Sequence, residues 1–233
     1  MEQNELLKKF FLLQINDALF PIGGYSHSFG LETYIQQGSV HDADTAANYM
    51  KKRLMYNIAY SDLLAVKLAY ESAEESDLKK LDDLEEKLEA SRIPMELREA
   101  AYKLGSRFVK TLLPLLDGED EGIFQKYIQL RNGRTICHSC AYGVFCAYIG
   151  IEKEEAMAHY LYAQTSAMVT NCVKSIPLSQ TAGQKLLSSL YPVLREVLEV
   201  TEQSTEEMLC ISTPGFDIRS IQHETLYSRI YMS

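Results

Sequence analysis

Along most of this chain apolar residues recur at spacings of three and four, the period of a helix with one buried face. From Asp42 onward Met50, Leu54, Met55, Ile58, Leu63, Leu64, Val66, Leu68 and Ala69 keep that spacing with few breakers. They predict a long helix capped at Asp42 or Asp44 and bent near Tyr60-Ser61. The next run, Glu71 to Glu89, sets nine acidic residues against three lysines, with Leu78, Leu81, Leu84 and Leu88 as its apolar seam. That reads as an amphipathic helix with a solvated acidic face. Pro94 opens a further helix, where a missing backbone donor is tolerated. Its buried stripe is Met95, Leu97, Ala101, Leu104, Phe108, Leu112 and Leu113, its basic side Arg98, Lys103, Arg107 and Lys110, and its stop Asp117-Gly118. Ile123 to Leu130 forms a short helix ended by Arg131-Asn132-Gly133, and Glu152 to Lys174 a long one. Between them, Thr135 to Gly150 is so apolar and rich in small residues that both of its faces belong inside. No convincing alternating run interrupts the series. The pattern predicts an all-α, single-domain helical bundle of about nine or ten helices over residues 1–233, ending in a tail, 213–233.

The pattern breaks between Leu12 and Gln37. Pro21 lacks a donor and pushes Phe20 out of the α region, and Gly23-Gly24 is a backbone suited to an unusual turn. Tyr25, Ser26, His27 and Ser28 then stand where a new helix is expected to start, and Gly30 lets another element approach closely. Leu31, Tyr34 and Ile35 resume the helical spacing until Gly38, a left-handed cap.

Composition narrows the function. With 32 acidic and 23 basic residues the net charge is −9, which repels nucleic-acid phosphate. The longest stretch without charge or strong polarity, Ala141 to Ile151, falls far short of the roughly 20 residues that cross a bilayer. The start, Met1-Glu2-Gln3-Asn4-Glu5, has neither the basic region nor the apolar core of a signal peptide, so the expected location is the cytoplasm. The five cysteines, an odd number among apolar neighbours, read as buried reduced thiols.

Several groups have chemistry within reach. Cys137-His138-Ser139-Cys140 carries soft ligands for zinc or nickel, but a structural zinc site needs a second pair, which Cys146, His159 and Cys172 do not supply at that spacing. On a helix, Cys137 and Cys140 face a core lined by Val144 and Phe145. Met208 and Cys210 are two further soft ligands, read more simply as core. Ser26 and His27 lack a motif-placed acid, no Gly-x-Ser-x-Gly elbow exists, and no phosphate-binding Gly-x-x-x-x-Gly-Lys loop appears. The tail gathers Ile218, Ile221, Leu226, Tyr227, Ile230, Tyr231 and Met232 around Arg229, the composition of a binding hot spot. It either docks on its own domain or orders on a partner.

Three strings, spread along the chain, resemble the UreF family of urease accessory proteins. The first is Phe20-Pro21-Ile22-Gly23-Gly24-Tyr25-Ser26-His27-Ser28-Phe29-Gly30-Leu31-Glu32. The second runs from Tyr160-Leu161-Tyr162-Ala163-Gln164 through Val173-Lys174-Ser175 to its most specific part, Ile176-Pro177-Leu178-Ser179-Gln180-Thr181-Ala182-Gly183-Gln184, which follows the helix ending at Lys174. The third is His223-Glu224-Thr225-Leu226-Tyr227-Ser228-Arg229 in the tail. His138 and Gly143 also match a family His-x-x-x-x-Gly stretch, whereas Cys137 and Cys140 are not signature positions. The resemblance implies a non-catalytic adaptor that dimerises and bridges UreD, also called UreH, and the GTPase UreG to urease apoprotein. It also implies influence on GTP hydrolysis and transient handling of nickel, with no tightly bound cofactor. It directs attention to Tyr25, Ser26, His27 and Glu32 at the first corner, to Lys174, Gln180 and Gln184 at the second, and to His223, Tyr227 and Arg229 in the tail. The tail is then expected to meet UreD/UreH and to be dispensable for the helical body. The competing expectations are a metallochaperone that binds nickel directly through its Cys and His groups, and an enzyme working from Ser26 and His27.

Overall fold

The computed structural model describes residues 2–116 and 122–233. Among them are twelve α-helices: α1 (Glu2–Ile15), α2 (Leu31–Gln36), α3 (Ala43–Arg53), α4 (Asp62–Glu74), α5 (Leu78–Ser91), α6 (Met95–Leu112), α7 (Ile123–Leu130), α8 (His138–Ile149), α9 (Lys153–Ser175), α10 (Gln180–Ser189), α11 (Tyr191–Gln203) and α12 (Pro214–His223). The described residues contain no strand. The all-α class is as expected, but the count exceeds nine or ten because runs read as one helix are divided. Asp42 caps α3 through a reciprocal capping box with Thr45, and after Arg53 the backbone widens into a π segment, Leu54–Ile58. Only beyond Ser61 does α4 begin. The acidic run is divided too, by a turn at Ser76 (φ +56°) and a fresh cap at Asp77. The expected stop at Asp117-Gly118 lies outside the described residues.

The core is built around α8, which packs against α4, α6, α7 and α9. Eight consecutive residues, Ser139 to Cys146, are buried, as the two-faced pattern requires. The contact with α4 is the closest because Gly143 leaves no side chain between the backbones. A Cβ there would sit 2.4 Å from the Val66 carbonyl oxygen and 3.1 Å from the Tyr70 nitrogen. Buried polar groups beside α8 are satisfied internally. Arg131, fully buried, donates to Asp82 at 2.7 Å, to Glu86 at 2.6 Å and to the Thr135 carbonyl at 2.9 and 2.7 Å. Glu85 departs from the wet face assigned to its helix: it is fully buried, bonded to the Tyr127 hydroxyl, and accepts the Cys137 backbone N–H at 3.0 Å. Burial pushes its carboxyl up, against the lowering effect of those donors. The apolar stripe of α6 also differs at its ends, where Met95 and Leu113 are exposed.

Replacing Gly143 with Ala should destabilise the fold by about 1–3 kcal/mol, because the added methyl must displace backbone. Urea denaturation measures this. Wild-type stability would show that α4 and α8 separate at little cost.

Candidate functional site

The first corner and the tail form one structure. Residues 16–30 make a looped corner containing a short 3-10 turn, Gly24–Ser26. The new helix starts later than the pattern suggests, at Leu31, so the Ser26 carbonyl and the Ser28 and Phe29 N–H groups stay open to partners. The C-terminal strap, residues 224–233, supplies those partners. The Ser28 and Phe29 backbone N–H groups donate to the Ser233 carbonyl at 2.6 and 2.9 Å, and the Ser28 hydroxyl joins them at 2.8 Å. The Met232 N–H donates to the Ser26 carbonyl at 2.8 Å, and His27 Nδ1 lies 2.8 Å from Ser233 Oγ. The expected close approach at Gly30 is made by α12: a Cβ on Gly30 would fall 2.6 Å from Ser220 Oγ.

Glu32, 3 % exposed, is the hub of this arrangement. Its Oε1 accepts the Ile230 N–H at 2.7 Å, and its Oε2 accepts the Tyr231 N–H at 3.1 Å and faces His223 Nε2 at 3.1 Å. The other ring nitrogen, His223 Nδ1, lies 2.6 Å from Glu96 Oε2, and Arg229 donates to Glu96 Oε1 at 2.6 Å. A buried imidazole between two carboxylates, beside a guanidinium, makes a charge-assisted network. Helix α9 closes the third side. Asn171 donates to the His27 carbonyl at 3.0 Å, and the Ser175 and Tyr231 hydroxyls are 3.4 Å apart.

Ser26, His27, Glu32 and His223 are therefore internal ties of the strap, whereas Tyr25, Lys174, Tyr227 and Arg229 are exposed around it. Lys174 sits between Asn171 and Ser175, the two residues of α9 that reach corner and tail. Gln180 and Gln184 stand apart, exposed on α10. The idea that the tail is separable from the body is corrected by these bonds. Glu96, Asn171 and Ser233 escaped the sequence reading. An acid in the first turn of α6 is explained well enough by the helix dipole, so Glu96 gave no further signal.

Burial pushes the His27 imidazole below its usual range, with Lys103 and Arg107 adding to the effect. Among the described residues no Asp or Glu is bonded to that ring, whose Nδ1 meets Ser233 Oγ. The thiols of Cys137 and Cys140 are buried and pushed well above the ordinary cysteine value by burial, with Glu85 contributing, which disfavours the thiolate a metal or an electrophile needs. Among the described residues no three His, Cys, Asp or Glu side chains converge as a metal site. Met208 is half-buried, and Cys210 accepts from Ser91 Oγ at 3.1 Å.

A second feature adjoins the corner, whose Ser28 and Phe29 help line it. A cavity of about 310 Å³ is bounded by the π segment, the ends of α5 and α6, and residues 210–213. It contains the Arg92–Asp62 pair (2.9 Å) and His138. Burial alone would raise the Asp62 carboxyl, but Arg92 more than offsets this and holds it below the usual range. Burial pushes His138 down to about 4, against the raising influence of Asp62 and with Arg92 adding to the fall.

Replacing Glu32 with Ala should cost about 3–5 kcal/mol, because it strands His223 and two backbone donors. Urea denaturation, with protease cleavage at the strap as a second readout, checks this; wild-type behaviour in both would place the strap's anchor elsewhere. Burial disfavours the charged form of His27 and of His138 in the fold, whereas the unfolded chain takes up protons below about 6.5. Their stabilising contribution is complete above that pH and is lost as pH falls below it, for His138 down to about 4. A melting temperature that declines from pH 6.5 to 4, and declines less in a His138→Gln variant, is the expected record.

Comparison with known proteins agrees with the strings read in the sequence. The UreF family profile matches residues 40–191. A protein of Actinobacillus pleuropneumoniae serotype 5b (strain L20) named urease accessory protein UreF is 36 % identical over 227 residues, covering 95 % of this chain and 97 % of its own length. The relative's alignment is long enough to take in corner or strap residues that the profile leaves out. On this evidence the chain belongs to the UreF family.

Proposed function

We propose that this protein works as a cytoplasmic adaptor in urease maturation, bridging UreD/UreH and the GTPase UreG to urease apoprotein and influencing GTP hydrolysis while nickel is delivered. Members of the family are accessory proteins and not catalysts, so its contribution is surface and not chemistry. The observation that carries the reading is the strap. Its backbone is fixed by Glu32 and Ser28, yet the side chains of Tyr227, Ile230 and Met232 are exposed, as is Tyr25 on the corner. Exposed aromatic and aliphatic groups on a held backbone lose little entropy on binding, which suits a hot spot. We assign this surface to UreD/UreH, and the rim formed by Tyr25 and Lys174 to UreG.

Self-association is supported by α1, where Leu6, Leu7, Phe10 and Leu13 are all exposed. No helix is long and apolar enough to cross a membrane among the described residues. Direct nickel carriage by Cys137 and Cys140 is the weaker reading, since both thiols are enclosed by core.

A Tyr227→Ala, Ile230→Ala double variant should keep the melting temperature and helical content of the parent but lose co-purification with UreD/UreH. Retained co-purification removes the strap from that interface. Tyr25→Ala and Lys174→Ala should each reduce UreG recruitment without unfolding, measured by pull-down with the other maturation proteins present. Unchanged recruitment counts against the rim.

A further inference from the structure

The cavity beside the π segment holds a cation without a direct ion pair. Arg53 is 8 % exposed, and among the described residues it makes neither an ion pair nor a side-chain hydrogen bond. The ring of Phe216 lies 5.1 Å from its guanidinium carbon. Arg92, the other guanidinium of the lining, is by contrast committed to Asp62. Asp217 also lines the cavity, and the charge of Arg53 reaches both acids without an ion pair to either. A guanidinium so enclosed gains from an anion placed directly against it.

The rest of the cavity indicates what that something is. Part of the lining is apolar, with Ile58, Leu104 and Met168 each below a tenth exposed. Neutral donors also line the space: Tyr160 and Gln164 make no side-chain hydrogen bond among the described residues. The volume, about 310 Å³, lies at the small end of ligand pockets. Arg53 is the last residue before the π segment, which also brings Asn57 and Ile58 to the wall. Widened turns of this kind are energetically poor and recur at functional sites.

We propose that this cavity binds a small organic carboxylate, its anionic end paired with Arg53 and its apolar body against Ile58, Leu104 and Met168. A free inorganic anion would leave the apolar wall unused, and a cation would meet Arg53. Ile93 and Ile211, both exposed, belong to its lining.

Titration calorimetry of the full chain with isocaproate tests this directly. Stoichiometric binding is expected, with the neutral isostere isocaproamide and the short acid acetate each weaker by about tenfold or more, the scale of one charge-assisted contact or a lost apolar body. Isoamylamine should not bind. Arg53→Gln should remove isocaproate binding while circular dichroism stays that of the parent. Leu97→Phe, which narrows the same cavity from a half-buried position, should remove it with Arg53 intact and decides the matter should Arg53→Gln fail to fold. No heat with the parent protein, amide binding equal to acid binding, preference for the amine, or undiminished binding by folded Arg53→Gln or by Leu97→Phe would each overturn the proposal.

Discussion

The carboxylate of Glu32 carries a share of the structure out of proportion to its size. It is held in the first turn of a six-residue helix, and it receives two backbone donors from the strap and one ring nitrogen of His223. A helix so short has little stability of its own. Its position depends on α12 and the strap pressing on it, and the strap's position depends on Glu32. Corner and C-terminus are thus mutually determined, over a sequence separation of 198 residues between Glu32 and Ile230.

The same constraint explains how a protein without catalytic apparatus presents a defined surface. An unanchored end would have to be ordered by its partner, and the entropy lost would weaken the complex. Here the main chain of Ser26 to Phe29 is paired with that of Met232 and Ser233, so the exposed tyrosines and aliphatic groups project from a backbone already in place. Lys174 joins this surface because its neighbours Asn171 and Ser175 reach the corner and the tail from α9. Behind the surface lies a rigid block, in which Gly143 brings α4 and α8 together and Arg131 and Glu85 neutralise buried polar groups.

The network and the cavity handle buried charge in different ways. Around Glu32 the carboxylates have partners within the protein: the two His223 ring nitrogens lie against Glu32 and Glu96, and Arg229 pairs with Glu96. Around Arg53 no carboxylate among the described residues completes an ion pair, and that place is assigned to a ligand. The cysteines belong to neither scheme, since burial among apolar neighbours makes them part of the core.

Much of this was written in the sequence. The three-four spacing determined the all-α class, α7 at Ile123–Leu130, and the central place of the segment that became α8, because periodicity and burial are local properties of the chain. Pro21 and the paired glycines required the corner, and the three strings indicated the family. Residue order could not reveal that Glu32, Glu96 and His223 meet. Nor could it reveal that Glu85 turns inward from an acidic face, or that α3 widens after Arg53 and leaves a guanidinium facing a cavity. Each of these depends on which helix lies against which, and a charged side chain looks the same in sequence whether water or a buried partner satisfies it. The tertiary packing made that choice.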